Sequence, residues 1–279
     1  MKKRESLIKK ERKKQKNKKI IKRLLGIIFL AMLIVGLGLS PLFYINSIEV
    51  YGNKHYNNIE VINASSIVLG ANWFRELAYD SDIKGMLTFR STKSENNILD
   101  RCSYVKEAVV RMVYPGKIKI TITERDPVAV VPYISTSLII DNEGFVVDVG
   151  DVEGKEILPV IQGLDVNGYS LGKMISAKNI KGIDAFNKIF NVIDFVQKTS
   201  KNGNYTNNLG QYISRVDVSD LDNVLIFLDS RINVNLGAYS QLDEYKIILL
   251  QEIFFNNIDE NEKGYLDLTT GNNPTFIPE

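Results

Sequence analysis

Val105–Glu124 reads VKEAVVRMV, then YPG, then KIKITITE, and its periodicity decides what surrounds it. From Val105 to Tyr114, Ala108, Val110 and Met112 fall on one side and Glu107 and Arg111 on the other. Lys117 to Thr123 alternates strictly, with Ile118, Ile120 and Ile122 set against Lys119, Thr121 and Thr123. Between the two runs, Pro115 presets φ at turn position i+1 and Gly116 accepts the positive φ of a type II turn at i+2. The stretch is therefore a β-hairpin with one buried face. Helices packed on a three-stranded sheet would bury its isoleucines, each contributing roughly 1.5 to 3 kcal/mol.

Upstream, the pattern supplies that third strand and two helices. Ile48 and Val50 alternate with Ser47, Glu49 and Tyr51 before a Gly52-Asn53 turn. Asn57 and Glu60 have capping-box spacing, and Ile59, Ile62 and a closing Gly70 fit a helix of about ten residues. After a loop around Trp73 and Phe74, a second helix is expected from Ser94 to Cys102. The order is strand, helix, helix, strand, strand.

Further upstream the chain changes solvent. The first 23 residues hold thirteen Lys/Arg and two Asp/Glu, and Leu24 to Ile48 carries no charge. A bilayer core of ~30 Å needs about 20 apolar residues in a helix, which Leu24–Ile45 supplies. Lys18, Lys19, Lys22 and Arg23 then hold the N-terminus on the cytoplasmic side, and the remainder lies outside. A cleaved signal peptide would have an apolar run of ~7 to 15 residues ending in a small-x-small site. This run is longer and continues into Pro41, Phe43 and Tyr44, which suit an interfacial belt. With 35 basic and 33 acidic residues overall, the portion after residue 23 carries −9. The basic tail suits anionic headgroups better than nucleic acid, since it has no aromatic residue.

Downstream of the hairpin, short β-type runs separated by turn residues dominate: Val128–Tyr133, Leu138–Asp141, Phe145–Val149, Leu158–Ile161, Ile213–Val218, Val224–Leu228, Arg231–Leu236 and Tyr265–Leu268. Two amphipathic helices interrupt them. Ala185–Lys198 carries Phe186, Ile189, Phe190, Ile193 and Val196, and Leu242–Phe255 carries Leu242, Tyr245, Ile248, Leu249 and Ile253, both expected to pack on one sheet face. Thr199–Gln211 reads as an exposed loop. The fold class is α+β: one transmembrane helix, a strand-helix-helix-strand-strand domain, then a mostly antiparallel β domain with flanking helices.

Chemistry finds little support in these residues. Asp217 with Asp220, or Asp259 with Glu260, could serve as acid and base, but turns are where an acidic domain places solvated carboxylates. One histidine, His55, and one cysteine, Cys102, build no typical zinc site, and a lone thiol forms no internal disulfide. His55 reads as a loop residue and Cys102 as buried. No G-x-S-x-G elbow or phosphate-binding Gly loop occurs. No cofactor, metal or catalytic residue is expected.

Several motifs, in order, resemble one family. Gly52-Asn53, Tyr104-Val105, Ala108-Val109-Val110, Tyr114-Pro115 and Thr123-Glu124-Arg125-Asp126-Pro127-Val128-Ala129 follow the basic tail, single span and strand. Leu138 to Gly144, with its hydrophobics-Asp-x-x-Gly turn, Leu158-Pro159 with Gly163, Arg231 to Gly237, Lys246 on a helix, and Gly264-Tyr265-Leu266-Asp267-Leu268 continue the series. In this order they resemble the FtsQ/DivIB family of bacterial cell-division proteins. The stretch Arg75–Thr92 departs from it, being longer than the family's loop between the two helices.

The resemblance implies a cytoplasmic tail (1–23), a transmembrane helix (24–45), a POTRA domain (46–125), a β domain (126–269) and a C-terminal tail (270–279). It implies a non-enzymatic, single-pass type II membrane scaffold at the division septum. Its expected partners are a DivIC/FtsB-like bitopic protein and its FtsL-like associate, with contacts to septal peptidoglycan synthases, membrane lipid around the span and no nucleic acid. Partner contact is expected at Tyr265, Leu266, Asp267, Leu268 and Thr269, an edge strand that a peptide strand could extend, and at Lys246 on the preceding helix. The competing expectation for that strand is cover by the Thr275-Phe276-Ile277 tail. The alternative role is an extracytoplasmic POTRA-type scaffold in sporulation or envelope assembly.

Overall fold

The computed structural model describes residues 2–80, 82–150, 158–199, 208–270 and 273–279, with side chains from residue 16 onward. The chain forms two compact units, residues 1–98 with 107–123 and residues 99–106 with 124–279.

The first unit begins with helix α1 (Lys2–Gly38). Its Lys16–Gly38 portion contains an 18-residue window of mean hydropathy 2.4 and is long and apolar enough to cross a membrane. The helix stops at Gly38, short of the Ile45 boundary expected for the span. Pro41 disfavours helical backbone at the residue before it, and Ser40 is accordingly extended at φ −67° and ψ 160°. Ile45 is buried within the unit and donates its N–H to the Ala71 carbonyl at 2.9 Å.

Strand β1 (Ser47–Tyr51) leads into α2 (Asn58–Ser65), α3 (Trp73–Tyr79), α4 (Ile83–Thr88) and α5 (Thr92–Arg101), followed by the hairpin β2 (Val105–Val113) and β3 (Lys117–Glu124). The sheet order is β1-β3-β2, with β1 parallel to β3 from Ser47↔Lys117 to Tyr51↔Thr121. Ile118 and Ile120 are fully buried and Ile122 nearly so, as the alternation requires. The Tyr114–Pro115 peptide is cis and Gly116 has φ +70°. Both halves of the α2 capping box form: Glu60 N–H donates to Asn57 Oδ1 at 3.0 Å and Asn57 N–H to Glu60 Oε2 at 2.7 Å. This helix ends at Ser66, left-handed at φ 59°, before Gly70 is reached.

The long stretch after Trp73 folds as α3 and α4, then returns as a segment that covers the outer edge of β2. Met112 N–H donates to Phe89 O at 2.9 Å and Ser91 N–H to Val110 O at 3.1 Å. Glu95, buried on α5, accepts the Val110 N–H at 2.9 Å and a bidentate pair from Arg90. A side chain thus satisfies a backbone donor that the end of the sheet would leave open.

The second unit contains β4 (Pro127–Tyr133), β5 (Thr136–Asp141), β6 (Val146–Val149), β7 (Val160–Gln162), β8 (Val166–Gly168), β9 (Ser176–Ala177), α6 (Lys181–Thr199), β10 (Ile213–Asp217), β11 (Val224–Leu228), β12 (Ile232–Gly237), α7 (Glu244–Glu252), β13 (Gly264–Asp267) and β14 (Thr275–Pro278). Among the described residues, nine strands form one sheet in the order β14-β13-β12-β11-β10-β7-β4-β5-β6, and β8 pairs with β9 apart from it. Most neighbours are antiparallel; β4 with β7, β7 with β10, and β12 with β13 are parallel. Phe186, Ile189, Ile193 and Val196 of α6 share a core with Ile226, Val234 and Leu266.

Helix α7 buries a different face from the expected one. Ile247, Leu250 and Gln251 are inside, while Tyr245 is 56 % and Ile248 37 % exposed. Of the loop expected over 199–211, residues 200–207 lie outside the described residues, and Leu209–Tyr212 forms a 3-10 turn.

Candidate partner-binding edge

Of the residues expected to bind a partner, Tyr265, Leu266 and Asp267 lie on β13, Leu268 and Thr269 just after it and Lys246 on α7, and the structure revises their setting. β13 is not an outer strand. On one side it pairs with β12, Asn233↔Tyr265 and Val234↔Leu266; on the other it pairs antiparallel with β14, Tyr265↔Ile277, Leu266↔Phe276 and Asp267↔Thr275. The tail beyond residue 270 therefore continues the sheet. Short polar runs with two prolines give a weak strand signal, which is why pattern reading leaves this segment as cover.

Gly264 lets β14 approach. A Cβ there would lie 2.4 Å from Ile277 O and 2.9 Å from the Phe276 ring, so a side chain would push the strand away. Leu266 and Leu268 are in the core at 1 % exposure, while Tyr265 and Asp267 are half-buried and Thr269 exposed. Asp267 Oδ1 accepts the Thr269 N–H at 2.8 Å and turns the chain after the strand. Lys246 sits on α7, where Nζ donates to Leu236 O at 2.9 Å. Gly237, at φ +70°, is flanked by Lys246 and Thr269, so these two expected site residues meet around one glycine. Lys246 thereby satisfies a carbonyl at the end of β12.

Hydrogen-bond direction shows what each strand offers. Gly264 N–H donates to Arg231 O and Leu268 N–H to Asn235 O, so the even-numbered residues of β13 face β12. Glu279 N–H donates to Lys263 O at 2.9 Å, which makes the odd-numbered pairs Tyr265↔Ile277 and Asp267↔Thr275 the bonded ones. On β14 the outward positions are then 274, 276 and 278. Two of these are Pro274 and Pro278, which have no N–H. Only Phe276 N–H remains to receive a further strand, and proline at such positions is a known way to blunt an edge. β14 itself is lightly held, since Phe276 is half-buried and Thr275, Ile277 and Pro278 are exposed.

The opposite flank of the sheet is closed. Val146 N–H donates to Lys173 O at 3.0 Å, Gly172 N–H to Val146 O at 2.8 Å and Ile175 N–H to Gly144 O at 2.8 Å, so residues 172–175 cover β6. The turn before β6 is built on Asp141, whose Oδ1 accepts N–H groups from Glu143 and Phe145 at 2.9 and 2.8 Å. Gly144 has φ +83°, and a Cβ on it would meet Ile183. These contacts explain the Asp-x-x-Gly motif physically. Arg125 pairs with Asp141 and, at 3.0 Å, with Glu143, and stacks on Phe145 at 3.6 Å. Lys106, then Arg125, hold the Glu143 carboxyl below the usual carboxylate range.

Of the carboxylates considered for acid-base work, Asp217 and Asp220 cap turns. Asp217 Oδ1 accepts Ser219 N–H and Oγ–H at 2.9 and 2.6 Å. Asp220 accepts from Asn223 and from Asp222 N–H, which lower its carboxyl pKa. Asp259 donates its N–H to Glu262 Oε2 at 2.9 Å. His55 lies in the loop before α2 against Tyr56, and Cys102 is buried. Among the described residues, no three His, Cys, Asp or Glu gather as metal ligands.

Comparison with known proteins agrees with this architecture. Residues 43–125 match the family model of the FtsQ-type POTRA domain. The chain is 26 % identical over 272 residues to the cell division protein DivIB of Clostridium botulinum (strain Hall), covering 95 % of this chain and 94 % of that protein. It is 25 % identical over 258 residues to DivIB of Clostridium tetani, covering 90 % and 86 %. To the cell division protein FtsQ of Corynebacterium glutamicum it is 27 % identical over 158 residues, covering 56 % and 62 %. With an FtsQ-type POTRA domain and similarity to DivIB along nearly its whole length, the chain is similar to the FtsQ and DivIB cell-division proteins.

Proposed function

We propose that this protein is a non-enzymatic, membrane-anchored scaffold of the division machinery, which captures a partner strand on β13 by exchange with β14. The carrying observation is the pairing pattern. β13 directs the N–H groups of Tyr265 and Asp267 at a thinly buried, proline-flanked strand that continues poorly into a further one. A partner strand without those prolines would satisfy the same donors and leave an extendable edge. Tyr245 and Ile248, exposed on α7, supply apolar contact beside polar strand pairing. The partner class the family supports is a DivIC/FtsB-like bitopic protein with its FtsL-like associate, and septal peptidoglycan synthases are further contacts.

Leu266→Pro does not test this, because Leu266 is in the core and its N–H faces β12. Tyr265→Pro removes a donor aimed at β14 and leaves the β12 side intact. The variant is expected to stay folded and to lose binding of the DivIC/FtsB-like ectodomain; unchanged binding by a folded variant contradicts the exchange site.

The basic tail orients the anchor with residues from 46 onward outside. Protease treatment of intact protoplasts should digest that portion, and its protection would overturn the orientation. A fluorescent fusion should mark midcell; a uniform envelope signal would favour a scaffold in sporulation or envelope assembly.

A further inference from the structure

The first unit's sheet has two unlike ends. Ser47 of β1, Lys117 of β3 and Val113 of β2 mark the end at which α1 arrives; Tyr51, Glu124 and Val105 mark the other. At the near end, three separate segments gather around residues 38–46. Gly70 N–H donates to Ile45 O at 2.8 Å and Asn46 N–H to Gly116 O at 2.6 Å, and Asn72 Nδ2 donates to Gly38 O at 3.1 Å and to Ser40 O at 3.2 Å. An aromatic chain joins them, Phe43 to Phe74 at 4.8 Å, Phe74 to Phe89 at 5.5 Å and Phe43 to Tyr114 at 6.2 Å.

Each of these segments exposes apolar side chains: Leu42 at 51 %, Val68 at 63 %, Leu69 at 61 %, Phe89 at 41 %, Val113 at 44 % and Tyr114 at 63 %. The loop at the far end, residues 52–58, reads GNKHYNN and is polar. The end of α1 supplies the second observation. The helix ends at Gly38, so a ~30 Å core of about 20 residues runs back to Ile20 and Ile21 on the cytoplasmic side and leaves Gly38 at the outer boundary. Residues 39–46, which follow directly, then start at the headgroup level.

We infer that this end of the POTRA unit is a lipid-docking surface, with Leu42, Val68, Leu69, Phe89, Val113 and Tyr114 seated in the headgroup region on the side where α1 emerges. The inference rests on α1 spanning the membrane. The occupant is a phospholipid bilayer because the patch is continuous with the apolar helix and mixes aromatic with aliphatic side chains, as interfacial belts do. Groups held this way lie roughly 5 to 10 Å deep at the headgroup and acyl boundary.

The test uses the full chain in phosphatidylcholine–phosphatidylglycerol nanodiscs, with an environment-sensitive fluorophore on a single introduced cysteine; native Cys102 is buried. Labels at Leu69→Cys and Tyr114→Cys are expected to be quenched by doxyl-labelled phospholipid and to lose quenching by aqueous iodide. A label at Lys54→Cys should show the reverse. A label at Ile27→Cys reports on the span itself. If it is lipid-quenched while those at 69 and 114 remain as open to iodide as that at 54, the docking surface is overturned and the span stands. If Ile27→Cys is not lipid-quenched, both fall. Protection from iodide at 69 and 114 without lipid quenching shows that a second copy of the chain covers the patch, and also overturns the proposal.

Discussion

The two flanks of the nine-stranded sheet are finished in opposite ways. The β6 flank is closed by residues 172–175 and anchored by the buried Arg125–Asp141 pair. The β14 flank ends in four residues of which only Phe276 is half-buried, with Pro274 and Pro278 removing outward donors. One flank is held by a buried ion pair and backbone cover, and the other by a paired but lightly buried strand, which leaves in the proposed exchange. The POTRA unit follows the first pattern, since Phe89, Ser91 and Glu95 cover its β2 edge. An edge covered by charge and backbone together suits structure; one covered by a single half-buried ring suits exchange.

The largest effect is expected on the closed flank. Asp141→Ala would leave the buried Arg125 guanidinium with only the exposed Glu143 as ion-pair partner and orphan the Glu143 and Phe145 N–H groups, costing about 3 to 5 kcal/mol, seen as a fall in the denaturant midpoint of the second unit. Loss of less than about 1 kcal/mol, the scale of an exposed pair, would mean that this flank is no firmer than the other.

Smaller changes are expected at β14. Gly264→Val would place a side chain against Ile277 O and the Phe276 ring, detaching the strand at a cost of about 1 to 3 kcal/mol. Hydrogen exchange of the Tyr265 and Asp267 amides should quicken while that of Leu266 stays slow, and equal acceleration at all three would show that β13 and β14 open together. Phe276→Ala removes the one half-buried ring and should cost roughly 1 to 2 kcal/mol, with the same exchange signature in weaker form.

The smallest effect distinguishes the flanks by pH. Lys106 and Arg125 lower the folded pKa of Glu143. Its contribution is therefore complete above the unfolded carboxylate pKa and is lost as pH falls through the lower folded value. Acid should loosen the β6 flank first, with β14 exchange unchanged across the same range. Loosening confined to β14 would reverse the assignment.

Much of this was legible in residue order. The alternation of Ile118, Ile120 and Ile122 fixed the POTRA hairpin, and the Asn57 and Glu60 spacing fixed a capping box, because both depend on local geometry. The stripe of α6 was equally readable. In α7 the apolar residues run nearly all round the helix, so periodicity named Tyr245 and Ile248 as core when packing turned Ile247 and Leu250 inward. The end of α1 was missed because hydropathy continues past Gly38, whereas Ser40-Pro41 breaks the helix and Ile45 joins the folded unit. The Thr275-Phe276-Ile277 tail is expected from sequence only as the competing cover of β13; its pairing as a strand depends on Gly264 more than 10 residues away, a contact that no window along the chain contains. Pattern alone thus located β13 as a strand and misjudged it as an edge.

Strand exchange on β13 requires β14 to be a removable cover. Binding of the DivIC/FtsB-like ectodomain to the chain with residues 271–279 deleted, compared with the full chain, tests this directly. Tighter binding by about tenfold, the ~1.4 kcal/mol released when the competing strand is gone, is the expected result. Loss of binding by a variant that remains folded would show that β14 is itself the contact and would contradict exchange on β13.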